Sequence, residues 1–343
     1  MTQSMQTNIM NGYKKRRLRL IGVNLVLLGI TACLCLMMLI YGKTSYSLST
    51  IMKVLRGEQI QGTTFAIATI RLPRMLCGLL AGIAFGIAGS TFQTMLRNPL
   101  ASPDIIGISS GSSAAAVFCI LVLRISGIGV SIAAVVSGLI VSAVIYLLSK
   151  GSGFSGGRLI LIGIGIQAMI NSVISFLLSR ASQHDVPAAL RWMSGSLNGT
   201  QIEDAVPLSI VVVIFGLIII SLTRQLKILE LGDEYAVTLG VNVNAVRISL
   251  ILCSVLLIAF ATSVTGPIAF VAFLSGPIAS RVTGSGASNT VSSGLVGAIL
   301  VLGADIIGQL AFGTRFPAGV VTGILGAPYM LILLLIMNRR GKG

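Results

Sequence analysis

Apolar runs about 20 residues long recur along nearly the whole chain, separated by short polar segments. A run of that length crosses the ~30 Å hydrocarbon layer of a bilayer as a helix. In lipid each segment must satisfy its own backbone hydrogen bonds, so a series of such runs forms helices and not open sheet. Nine runs are clear: 18–40, 75–92, 105–122, 130–148, 159–178, 206–222, 248–264, 291–312 and 320–337. A tenth, 268–280, is short and interrupted by Gly276-Pro277. Counting it gives an all-α polytopic membrane protein of ten spans, with both termini on one side.

Charge supports that count. Only 10% of the 343 residues are charged, against about 25% in a soluble domain. The net charge is +15, but the basic residues sit at the ends of apolar runs and form no stripe, which argues against nucleic acid as a partner. Lys14, Lys15, Arg16 and Arg17 precede the first run and Arg19 lies at its start; the run is too long for a signal-peptide core. It reads as a retained helix with its N-terminus in the cytoplasm. The ten-span topology then places fifteen basic residues inside and nine outside. Residues 1–17 are expected as a basic cytoplasmic tail, 18–338 as the transmembrane body and 339–343 as a second cytoplasmic tail. The 40 glycines suit close helix packing in such a body.

The chemistry of an enzyme is missing. All five cysteines lie inside apolar runs and read as small buried hydrophobes. There is one histidine, His184, and no nucleophile–base set, metal-ligand spacing or dinucleotide fingerprint. Gly42-Lys43-Thr44 resembles the end of a phosphate-binding loop, but Met37 stands where that motif needs glycine. No catalytic residue, cofactor or metal is expected.

Four polar features stand out. The island 231–242 reads as a two-turn helix at about 233–240. Asp233 and Glu234 open it, where the helix dipole favours negative charge. Gly240 closes it, and Asn242 or Asn244 caps the following span. So short a helix needs a docking surface. The bilayer is one candidate, but the inner leaflet is negative, so a protein partner is favoured. Secondly, Arg71-Leu72-Pro73-Arg74 opens the second span, its two arginines on one face. Both oppose the dipole and the topology rule, so they either snorkel to lipid headgroups or receive a partner. Thirdly, Arg97 to Asp104 links two spans around two prolines, with Asp104 able to cap the next helix. It is either a stiff turn or a constriction. Finally, Asp305 lies within the ninth run. It is either a functional acid, as a proton-coupled secondary transporter would need, or a buried structural carboxylate.

Together these segments resemble the permease family of ATP-binding-cassette importers for iron-siderophores, haem and cobalamin. The matching signatures are Arg71–Arg74, the Gly89–Gly107 pattern G-x-x-x-Q-x-x-x-R-N-P-L-A-S-P-x-x-x-G, Leu231–Val241, Gly297–Asp305 and Phe316–Pro328. The resemblance covers about residues 20 to 338. It implies ten helices, a second permease as homodimer or heterodimer, a cytoplasmic ATPase dimer and an extracytoplasmic substrate-binding lipoprotein. Ferric siderophore leads among the substrates, with haem or cobalamin behind. By position, the resemblance makes Asp233, Glu234, Thr238, Leu239 and Gly240 the helix that couples to the ATPase. It makes Arg71 and Arg74 docking points for the binding protein, and Asn98 and Leu100 a cytoplasmic gate. Two positions depart from the pattern. Ile278 follows Pro277 where the family has histidine, and Gln309 stands where a third docking arginine is expected, leaving Arg315 as the nearby replacement.

Overall fold

A computed structural model describes residues 3–42, 44–150, 155–284 and 289–340. Lys43 of the failed phosphate-loop match and Lys342 of the basic tail lie outside the described residues. The regular elements of the described residues are all helical, in the order α1 (Gln3–Ile40), α2 (Leu48–Leu55), α3 (Leu72–Met95), α4 (Ile108–Phe118), α5 (Ile128–Ser149), α6 (Gly156–Arg180), α7 (Val186–Met193), α8 (Ile202–Ser221), α9 (Thr223–Glu230), α10 (Asp233–Thr238), α11 (Val243–Thr265), α12 (Val271–Thr283), α13 (Thr290–Leu310) and α14 (Ala318–Arg340). Wider π-type turns extend α3 backwards over Phe65–Arg71 and α4 forwards over Cys119–Leu123.

Among the described residues, seven helices are long and apolar enough to cross a membrane. Two shorter apolar stretches, Ile108–Leu123 and Ala318–Leu333, and the 13-residue α12 complete the ten-helix bundle. At 1.5 Å per residue α12 is only about 20 Å long. It tolerates that length because most of its residues are buried against protein and not lipid. The long linkers on either side of α2 and α7 carry those two short helices. Trp192 in α7 is half-buried and packs against Ala116, Cys119 and Val130. The first helix begins at Gln3, so the basic cluster at 14–19 is helical and runs directly into the first span.

Helix α3 is the core of the bundle and packs against α8, α11, α12 and α13. Glycines make this possible. A Cβ at Gly82 would stand 2.5 Å from the Ala298 Cα, and one at Gly86 would collide with the Ser293 carbonyl. One at Gly89 would strike the Ala272 carbonyl, and one at Gly297 the Gly82 carbonyl. The α3 backbone therefore touches α13 and α12 directly, the contact that small residues permit between helices in lipid. Gly86→Ala should lower the thermal midpoint in detergent, by an overpacking cost of about 1–3 kcal/mol. Gly29→Ala on α1, where a Cβ meets nothing within 4 Å, should leave the midpoint unchanged or raise it. Equal midpoints for the two variants would contradict the backbone contact.

Candidate functional site

Helix α10 stands out at one end of the bundle. Its first residue follows Gly232, whose φ of 125° suits glycine. Its last turn closes on Gly240 at φ 78°, with the Val241 N–H bonded to the Ala236 carbonyl and the Gly240 N–H to that of Val237. This is the left-handed helix end expected at Gly240. The Asn242 side chain then caps α11 by accepting from the Ala245 N–H at 3.1 Å. Only Ala236 of α10 is buried. Leu231, Tyr235, Val237 and Leu239 are each at least 60% exposed. Glu234 and Thr238 are exposed beside them. The island is thus a projecting apolar ridge with one acid on its flank, too short to hold its shape alone.

Asp233 fastens it. Its Oδ1 accepts from Arg97 Nη2 at 2.8 Å, and Arg247 Nη2 reaches both carboxylate oxygens at 2.9 Å. Arg247 is buried on α11, whereas Arg97 and Asp233 are each 44% exposed. Asp233, expected in the outward contact, is thus also bound to the bundle while it stays 44% exposed. Arg97 occupies the left-handed residue that ends α3, at φ 51°. The Asn98 N–H bonds to the Gln93 carbonyl and the Arg97 N–H to that of Thr94, the pattern in which glycine is usual. A side chain in that conformation costs about 1–2 kcal/mol, so the guanidinium at 97 must offset it.

The next residues form a stiff turn. Asn98 Oδ1 accepts from the Leu100 N–H at 2.9 Å, and the Asn98 carbonyl from the Ala101 N–H at 3.0 Å. Leu100 is half-buried and Ala101 fully buried. Asp104 does not cap the following helix. It accepts from the hydroxyls of Ser102 and Ser109, while Gly107, at φ 73°, precedes α4. A polar cavity of about 270 Å³ lies behind the turn, lined by Gln93, Arg97, Asn98, Pro99, Glu230, Gly276, Pro277 and Ser280 among others. Nearby on α9, burial lowers the Lys227 ammonium against the opposing pull of Glu230.

Gln93 closes a gap in the backbone bonding of α12. Pro277 has no N–H to offer the Phe273 carbonyl one turn back. Gln93 Nε2 supplies the missing donor at 2.8 Å, and Gly276 leaves it room, since a Cβ there would overlap Gln93 Oε1. Ile278, at the departure from the family pattern, packs with Leu27, Ala279 and Val296.

The other end of α3, about 36 Å away over its 24 residues, carries the second charged group. Arg74 and Asp305 are both buried and form a two-pronged ion pair, Nε to Oδ2 and Nη2 to Oδ1, each 2.8 Å. Gln309 Nε2 adds a third bond to Oδ2 at 2.7 Å, and Arg74 Nη1 reaches Asn198 Oδ1 at 3.4 Å. Arg71 turns elsewhere. Its Nη1 donates to the carbonyls of Leu39 and Ile40 at 2.7 and 2.8 Å, its Nη2 donates to that of Thr44, and it lies 4.7 Å from the Tyr46 ring centroid. A cation there satisfies the C-terminal carbonyls of α1 and suits its dipole. The two arginines therefore do not present one shared face, which corrects the expectation from their spacing. Arg315 is exposed beyond α13.

Arg247 and Gln93 had no assigned role from sequence. Pro277 announced a carbonyl in need of a donor, but nothing marked Arg247 as a partner for Asp233.

The FecCD transport family model matches residues 28–336. The ferric enterobactin transport system permease protein of Escherichia coli K12 is 34% identical over 300 residues, covering 87% of this chain and 91% of its own. The achromobactin transport system permease protein of Dickeya dadantii 3937 is 33% identical over 330 residues, covering 94% and 95%. A solved structure described as a metal-chelate-type ABC transporter in an inward-facing conformation superposes with a TM-score of 0.81 at 25% identity, covering 92% of this chain and 99% of that one.

The Arg74–Asp305 pair sets a stability expectation. Arg74→Ala or Asp305→Ala leaves a buried charge alone and should cost about 3–5 kcal/mol, whereas Arg74→Met with Asp305→Leu should recover most of the loss. Unfolding midpoints in detergent check this. Single variants as mild as those of an exposed pair would contradict the buried geometry.

Proposed function

The chain belongs to the FecCD transport family, and from that premise we propose that it moves ferric siderophores into the cell as the permease subunit of an ATP-binding-cassette importer. The observation that carries this reading is α10, an exposed apolar and acidic ridge fastened to the turn at 97–101. A ridge of this kind is suited to a cleft in a soluble partner, and the partner is an ATPase subunit. The ridge then lies in the cytoplasm, in keeping with the surplus of basic residues on that side. Glu234, Thr238 and Leu239 meet the ATPase, while Asn98 and Leu100 form the gate above it. The substrate class follows from the relatives named for ferric enterobactin and achromobactin.

A second permease completes the pathway. Helix α6 exposes Asn171 and Ser175 in a span that is otherwise mostly apolar. Lipid offers no partner to an exposed amide, so this face is covered by protein or water. ATP binding draws the two ATPases together, displaces the paired α10 helices and shifts the population between outward- and inward-open states. Asp305 is held by three hydrogen bonds, which suits a structural tie better than a carrier of protons.

On the outer face, exposed Arg315 and half-buried Arg71 serve as contacts for a substrate-binding lipoprotein, with Arg74 bracing α3 beneath them. Charges at such a rim mainly speed association.

Reconstitution in liposomes tests the whole assignment. Uptake of a ferric siderophore should require ATP, the ATPase and the binding protein, and a proton gradient alone should drive none. Arg71→Glu with Arg315→Glu should weaken binding-protein affinity, and the difference should shrink as salt shortens the Debye length to about 8 Å. Uptake by the chain alone under a proton gradient would overturn the reading.

A further inference from the structure

The three charges at the inner end of α3 do more than fasten α10. We propose that Asp233 is the joint through which α10 drives the gate turn, with Arg97 as the driven partner and Arg247 as the fixed one. The proposal rests on the reading of α10 as the helix that meets the ATPase.

Three observations carry it. The first is asymmetry. Arg247 is buried on the long helix α11 and holds both oxygens of Asp233, whereas Arg97 holds one and is 44% exposed. One side of the joint is anchored in the bundle, and the other sits half-exposed at the end of α3. The second is position. Arg97 directly precedes Asn98, whose side chain and carbonyl build the turn to Ala101. Arg97, Asn98 and Pro99 also line the polar cavity, so a shift of Arg97 changes that cavity and the turn together. The third is backbone. Residue 97 takes the left-handed conformation that favours glycine, yet it is an arginine. Ending α3 needs no side chain there, so the side chain answers another requirement, and its ion pair with Asp233 is the contact that meets it. Half-exposed charges are screened by water, so this pair can lengthen and re-form during a cycle.

Arg97 is accordingly a positioning residue, acting through the turn. Its removal has an unusual advantage as a test. Arg97→Gly suits the local backbone, so the helix end is kept while the link to Asp233 is lost. In the reconstituted importer, with ATPase and binding protein present, Arg97→Gly should still assemble with the ATPase and hydrolyse ATP. The siderophore moved per ATP should fall by up to about fivefold, the scale of a half-exposed ion pair. Arg97→Lys, which keeps the cation, should recover much of the ratio. Spin labels at Val237 and Leu100 give a second readout. On ATP binding both should move in the parent protein, and only the Val237 label in Arg97→Gly.

A full transport ratio in Arg97→Gly, or a Leu100 label that still moves, would overturn the joint. Loss of ATPase association in Arg97→Gly would also overturn it, reducing the cluster to a mount for α10. Failure of the underlying reading looks different. In that case Leu239→Asp, on the exposed ridge, would leave ATPase association and uptake at parental levels whatever the Arg97 variants do.

Discussion

The direct backbone contact of α3 with α13 and α12 is the constraint on which the rest depends. Where a side chain would fill the gap, Gly82, Gly86 and Gly89 let carbonyl and Cα atoms of neighbouring helices approach. In lipid there is no hydrophobic gain from bringing two apolar helices together, so close packing must supply the attraction. Helix α3 becomes a rod enclosed by protein, and what happens at its ends is held in register with α12 and α13. Gln93 extends the same logic, replacing the backbone donor that Pro277 removes from α12.

Each end of that rod carries an arginine–aspartate tie, and the two ties differ in kind. Arg74 and Asp305 are buried, so separating them exposes an unpaired charge to a low-dielectric interior at high cost. That tie is static and fixes the N-terminal end of α3 to the C-terminal end of α13. Arg97 and Asp233 are half in water, where an ion pair is weak and exchangeable. A permease that must hold one end firm while the other responds to a soluble motor is served by this division.

Much of this was legible in the residues. The ten apolar runs, including the broken one that became α12, follow from length and hydropathy alone. Asp233, Gly240 and Asn242 marked the bounds of α10 through dipole, left-handed closure and capping. The partners of charges were not legible. Arg74 and Asp305 are 231 positions apart, and Arg247 met Asp233 only once α10 folded back between α9 and α11. Local rules had flagged Arg71 and Arg74 as misplaced, and the misplacement is real only along α3. Arg71 serves the end of α1 and Arg74 serves Asp305, both contacts between segments distant in sequence. Asp104 had the right type and spacing for a cap, but two serine hydroxyls compete for it more closely.

The central claim is that α10 is where a soluble ATPase grips this permease. A photo-crosslinking residue in place of Thr238, which lies exposed on α10, tests that contact in membranes containing all the importer subunits. The account predicts that illumination joins the permease to the ATPase subunit, with a yield that changes when ATP is bound. Crosslinks to lipid alone, or to the substrate-binding protein on the other side, would contradict it.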